Sequence, residues 1–329
     1  MVLKLNWKIV VAAFLLVALL AAVLVMVRNP QQGYAFLGGL LTQPKLASCL
    51  AETQQQLDSQ RYQRPSNQTP IPNPYHFSDF EGQQVGVFDQ PEEAIKAYYG
   101  ILEEASNMEG YTGGCGTIGN AKQPYRYAYQ LFSPAQKQEL SLSEFVESFS
   151  GTGHTTFLKL LPAYRPPGTP DETQYYMVEI ETITGRKLEQ DTSDTPQISL
   201  FGYYYGIVTV ENIPGEGWKI GKIYYIPENF LCAPYHSWFY DSTAFVQIVY
   251  QDNMKVIEKI DRVEQDGSLI HIYASEGQNQ YRFDFVRLTN GYDILLHEYR
   301  LEGESWQEID LIDGVWKPSK FSIETFDSD

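Results

Sequence analysis

Proton-transfer chemistry needs a titratable side chain held beside a substrate, and this chain has only five histidines to offer. His154 follows Gly151-Thr152-Gly153 in a connection between expected elements. It could serve as a general base there, although a solvated loop histidine is the simpler reading. Tyr98, Tyr203 and Tyr205 could donate hydrogen bonds into a pocket. In a chain with 24 tyrosines, each reads first as a packing ring with a wet hydroxyl. His271 and His297 fall on different expected strands and could meet. No His-x-His, HExxH or Cys/His spacing accompanies them, so cross-strand surface positions are expected and no metal site. Gly113-Gly114-Cys115-Gly116 looks like a glycine-rich loop, but no strand and helix flank it as a phosphate loop requires, and a flexible turn is expected. There is no GxSxG and no dinucleotide fingerprint, so no cofactor is expected. Cys49, Cys115 and Cys232 allow one internal disulfide and leave one thiol over, and their spacing selects no pair.

Whatever these residues do, they are expected to do it outside the cytosol. Ile9 to Val27 is a run of 19 residues without charge, Gly or Pro, close to the roughly 20 that a helix needs to cross a bilayer. In hydrocarbon such a segment must satisfy its own backbone as a helix. Lys4 and Lys8 precede it and only Arg28 follows closely, which places the N-terminus in the cytosol. A cleaved signal would carry a shorter apolar run and a small-residue cleavage site; Met26-Val27-Arg28-Asn29 is a poor one. Leu46-Ala47-Ser48-Cys49 has the form of a lipobox but lies about twenty residues beyond the apolar run, so an uncleaved single-pass anchor in the lipid bilayer is expected.

The remainder is acidic. The formal charge is −17 overall, and Lys4, Lys8 and Arg28 are the only charged residues before position 29, which leaves −20 for the rest. Such a surface repels nucleic acid and anionic lipid. Solubility accounts for it; an acidic face for a basic partner is the sharper alternative.

Residues 29 to 88 are rich in Gln, Pro, Asn and Ser and read as a spacer lifting the body off the membrane. Asn67-Gln68-Thr69 within it is a glycosylation sequon. From Asp89 a folded domain is expected. Pro91 to Asn107 carries Ile95, Tyr98, Tyr99, Leu102 and Ala105 at helical spacing. Ser133-Pro134 and Ser141-Leu142-Ser143-Glu144 read as two more helix starts, with Gly151 as a stop. Strands are expected at Thr155–Tyr164, Thr173–Gly185, Ile198–Asn212 and Trp218–Pro227. In the second of these, Tyr176, Val178 and Ile180 form the more apolar face. That puts Glu179 and Glu181 on the solvent side.

Helices followed by a curved antiparallel sheet, ending in a GWKIGKI strand, resembles the nuclear-transport-factor-2-like superfamily, also called ketosteroid-isomerase-like or SnoaL-like. The pieces that carry the resemblance are AIKAYYGILEEA, YQLFSPAQKQELSLSEFVESF and GIVTVENIPGEGWKIGKIYYI, spanning residues 89 to about 230. It implies an α+β cone with a pocket between sheet and helices, over residues 89–235. That superfamily holds isomerases and dehydratases as well as non-catalytic binding domains, often fused to membrane anchors in exported bacterial proteins. Fold alone therefore does not choose between them. The isomerases use a pocket carboxylate as base, and no carboxylate in this sequence can be matched to it.

Residues 236–329 read as an all-β meander or barrel-like domain. Strands are expected at Ala244–Gln251, Val256–Val263, Ser268–Ser275, Gln280–Leu288, Asp293–Leu301 and Ser305–Ile312, with turn signals at about 8–12-residue spacing. The expected function is a membrane-anchored, extracytoplasmic, non-catalytic module that binds a protein or a small apolar ligand. A pocket enzyme of isomerase or dehydratase type is the alternative, with His154, Tyr98 and Tyr205 as its candidate site residues.

Overall fold

The computed structural model describes residues 70–113, 120–188, 200–230 and 240–326. The expected anchor, the sequon, the lipobox-like motif and all three cysteines lie outside them. Among the described residues no helix is long and apolar enough to cross a membrane.

The first half is a helical layer on an antiparallel sheet. Helix α1 spans Pro91–Glu103, with Pro in its first turn and Glu92 and Glu93 at its positive end. The expected apolar stripe is the buried one: Ile95, Tyr98, Tyr99, Leu102 and, just past the helix, Ala105. Helix α2 (Tyr125–Gln130) was not foreseen. Helices α3 (Pro134–Glu139) and α4 (Leu142–Ser148) begin at the expected caps. At the second cap, Ser141 Oγ accepts from Glu144 N at 3.3 Å and Ser141 N donates back to Glu144 Oε2 at 2.9 Å, a reciprocal capping box.

The sheet comprises β1 (Tyr111–Gly113), β2 (Thr152–Pro162), β3 (Thr173–Lys187), β4 (Leu200–Ile213) and β5 (Gly217–Pro227). Its order is β1-β3-β4-β5, with β2 also on β3. Irregularities in β2 at Phe157/Lys159 and between β4 and β5 at Val208/Val210 interrupt the register, the kind of device that bends a sheet. Aromatic rings fill the space under the helices. Tyr99 stacks on Phe157 with centroids 4.2 Å apart, and Tyr125 on Phe149 at 4.8 Å; each such pair contributes about 0.5–1.5 kcal/mol beyond the area it buries.

The stretch from residue 70 to 88, expected as spacer, packs on this body instead. Ile71 N donates to the Phe157 carbonyl at 2.9 Å, Tyr75 OH to Glu93 at 2.8 Å, and Phe77 is buried in the core. Its prolines rule out regular structure but not packing, and the apolar residues between them supply the contact.

The second half is a five-stranded antiparallel meander: β6 (Lys259–Asp266), β7 (Leu269–Glu276), β8 (Asn279–Arg287), β9 (Asp293–Glu302) and β10 (Ser305–Ile309). Its order is β10-β9-β8-β7-β6, so it is an open sheet and not a closed barrel. The expected first strand is helical: α5 (Ser242–Val246) followed by a π-helical turn, Gln247–Asn253. Asp241 caps it, its carboxylate accepting from Ala244 N at 2.9 Å. Phe245, Val246, Val249 and Tyr250 then bury one helical face against β7 and β8. The β-branched residues that suggested a strand are overridden by this packing.

Candidate functional site at the seam between the sheets

The face of the first sheet that turns away from its helices is not solvated. Met177 and Ile207 on it form one apolar cluster with Val286, Leu288, Leu296 and Phe321 of the second half. This overturns the expectation for Glu179. Its side chain is on the predicted face, but the second sheet covers that face and leaves Glu179 0% exposed.

A buried carboxylate must be paired and hydrogen-bonded. Glu179 receives the ammonium of Lys159 from the neighbouring strand β2. Its other oxygen accepts from Thr289 N at 2.8 Å, in the turn after β8. Glu228, just past β5, accepts from the next amide, Asn290 N, at 2.9 Å. Burial first, then the hydrogen bond and charge of Glu179, push the Glu228 carboxyl up to about 9 from its ordinary 4.5. It is therefore the neutral acid at pH 7, and the proton lies between the two carboxyls. Its Oε1 is buried and takes no hydrogen bond from the backbone.

A second buried network lies along the same seam. Glu298 on β9 is 0% exposed. It accepts from Tyr250 OH (2.7 Å), Ile312 N (3.0 Å) and Lys320 Nζ (2.8 Å). Lys320 Nζ also reaches Asp310 at 3.1 Å and lies 3.6 Å from the ring centroid of Tyr164, which follows β2. Tyr164 and Ser322 form a parallel bridge, so the C-terminal segment joins the two halves. Burial, then the carboxylates of Asp310, Glu308 and Glu324, hold the Tyr164 phenol well above its usual range; it is a donor and not a base. Above this network opens a cleft of about 640 Å³ lined by Tyr164, Asp310, Lys317, Lys320, Glu324 and Thr325, among others, within the size range of small-ligand sites. Lys317 and Glu324 pair across it at 2.9 Å.

The three residues singled out from sequence do not converge. Tyr98 is buried on the helix side of the first sheet. Tyr205 lies on the seam side, its ring 6.1 Å from Phe321. His154 is half-buried within β2, opposite Ile183, not in a loop, because the strand begins three residues earlier than its β-branched run suggested. His271 and His297 flank Asp284 in register across β7, β8 and β9. His271 Nδ1 is 2.7 Å from Asp284 Oδ1, whereas His297 turns to Glu308 and the Pro162 carbonyl. No group of residues that could hold a metal is found among the described residues. The residues that do gather (Lys159, Glu179, Glu228, Glu298, Lys320, Tyr164) carry one sequence signal: Lys159 and Glu179 each interrupt a β-branched and aliphatic run.

No known family model matches the chain, and no curated protein matches its sequence. A solved structure of an "Ntf2 like protein involved in plasmid conjugation" aligns at 10% identity, covering 64% of this chain and 94% of its own, with a TM-score of 0.21. At that overlap the likeness carries no argument, and the helix-on-sheet half and the open second sheet rest on the chain's own elements.

Proposed function

We propose that this chain is a non-catalytic binding module. Ile9–Val27 holds it in a membrane, its folded body lies on the extracytoplasmic side, and its first half is a cone of the nuclear-transport-factor-2-like kind. The order of helices and strands supports the cone. The observation that carries the binding reading is the filling of its interior. Where a pocket enzyme would bind substrate, the stacked Tyr99–Phe157 and Tyr125–Phe149 pairs are packed with Phe132 and Phe145. Glu103, the half-buried carboxyl at the end of α1, is raised by burial and accepts from Phe157 N at 3.4 Å. The seam carboxylates are likewise committed to internal partners. The cleft beside Tyr164 and Lys317 is open, and it suits a small ligand or a segment of an extracytoplasmic protein.

One observation favours the isomerase or dehydratase alternative. Tyr99 and Tyr225 hydroxyls meet at 2.5 Å under the helices, and the buried Tyr125 hydroxyl has no partner among the described residues; such phenols could polarise a carbonyl.

Cross-linking in membranes with the full chain as bait tests the binding reading. A partner captured by the wild type and lost in Thr325→Trp, which covers the cleft from its rim, is the expected result. Equal capture by both, or none, counts against it. External protease that leaves residues 70–326 intact in cells with a permeabilised outer boundary would refute the topology.

A further inference from the structure

His297 sits on β9 with its side chain 12% exposed, and both ring nitrogens face acceptors. Nδ1 is 2.6 Å from Glu308 Oε1 on β10. Nε2 is 3.0 Å from the Pro162 carbonyl at the end of β2. A neutral imidazole has one N–H. It can satisfy one of these contacts but leaves a lone pair against an oxygen at the other. Two protons are needed, whether both lie on the ring or one is shared with Glu308.

The second of these contacts crosses between the two halves of the body. The cross-seam bridge of Tyr164 with Ser322, and the bridge of Leu295 with Lys320 inside the second half, lie within a few residues of it. We propose that His297 is a proton-operated clasp between the two sheets, closed when its ring and Glu308 together hold two protons and loosened when one is lost. Imidazole is the side chain suited to such a switch between about pH 5 and 8.

Titratable and charged groups face the ring from the elements packed against it. On β10 it meets Glu308. On β9 the Tyr299 ring lies 5.8 Å away. On β8 its register partner is Asp284, which is itself held by Arg282 and His271. From the first half, among the described residues, come the Pro162 carbonyl and, two residues on, the Tyr164 phenol, which lies under Lys320. The cations Arg282 and Lys320 are each already paired with a carboxylate, at 2.9 Å and 2.8 Å.

Amide hydrogen exchange on the full chain in detergent, between pH 5.5 and 8.0 and corrected for intrinsic rates, tests this. A Glu228→Gln background removes the other proton-holding group at the seam. Peptides covering residues 160–165 and 293–298 should lose protection as pH rises, by roughly tenfold, the scale of one charge-assisted hydrogen bond. Peptides within α1 should not change. His297→Gln, whose amide keeps the same N–H donors at every pH, should make the seam peptides insensitive to pH. Glu308→Gln should move the transition to lower pH. A flat wild-type profile, or a transition that persists in His297→Gln, overturns the proposal. If His297→Gln fails to fold, an unmoved midpoint in Glu308→Gln does so.

Discussion

Glu179 on β3 and Glu228, just past the end of β5, grip a single turn of the second sheet. They accept from the consecutive amides of Thr289 and Asn290, at 2.8 and 2.9 Å. Two carboxyls this close cannot both stay ionised in a buried site, so they share a proton. Lys159 then balances the one remaining negative charge. Below about pH 9 the joint between the halves is thus a charge-neutral cluster.

That proton makes stability depend on pH. The Glu228 carboxyl titrates near 4.5 when unfolded and at about 9 when folded, so folding takes up a proton between those values. Its contribution is fully present below 4.5 and is lost as pH rises through 9. Thermal melts of the full chain should therefore show stability falling from about pH 5 to 9. Glu228→Gln, an amide that needs no proton to donate to Glu179, should remove most of that slope and exceed the wild type at pH 9 by roughly 1–3 kcal/mol. An unchanged slope in the variant would mean the proton sits elsewhere.

Lys159→Met should be among the costliest single changes. It leaves the fully buried Glu179 without its counter-charge, a loss of about 3–5 kcal/mol. Adding Glu179→Gln removes the orphaned charge while keeping an acceptor for Thr289 N, and should restore most of that loss. Urea melts of the two single variants and the double give the coupling directly. Additive effects would show that the ion pair is solvated and the seam open.

How legible all this was differs between fold and site. The period-two alternation through Tyr176, Val178 and Ile180 placed a strand and chose its helix-facing side. The Ser133 and Ser141 caps located two helices because capping is local chemistry. Alternation cannot report that a second layer, more than a hundred residues on, covers the other face, and so Glu179 was assigned to solvent. The helix at Ser242 did carry a readable sign in the Asp241 cap, which β-branched composition outweighed. The seam itself is long-range: His297 and Pro162 are 135 residues apart, Thr289 and Glu179 110. Nothing local marks either pairing.

Two glycines separate conformational cost from steric cost. A Cβ on Gly206 in β4 would lie 1.9 Å from the Tyr224 carbonyl oxygen of β5, and paired backbone cannot step aside. Gly206→Ala should cost about 3 kcal/mol, the upper end for overpacking, and should loosen β5, whose Tyr225 hydroxyl reaches Tyr99. Gly82 has φ +77° but nothing within 4 Å of an added Cβ. Gly82→Ala should cost only about 1 kcal/mol, the price of a left-handed backbone. Equal losses in denaturant melts would show that the close approach of β4 and β5 is wrong.

The anchor can be separated from the lipobox by mass and by charge. A transmembrane Ile9–Val27 predicts a purified chain that retains residues 1–48 without added lipid, and membrane association that resists carbonate. Placing arginine at Leu16 and Leu19, near the middle of the run, costs about 3 kcal/mol each in hydrocarbon and should release the chain or block its insertion. Cys49→Ser should change neither property. A chain lacking residues 1–48 and carrying an added lipid on Cys49 would replace the helix with a lipid tether.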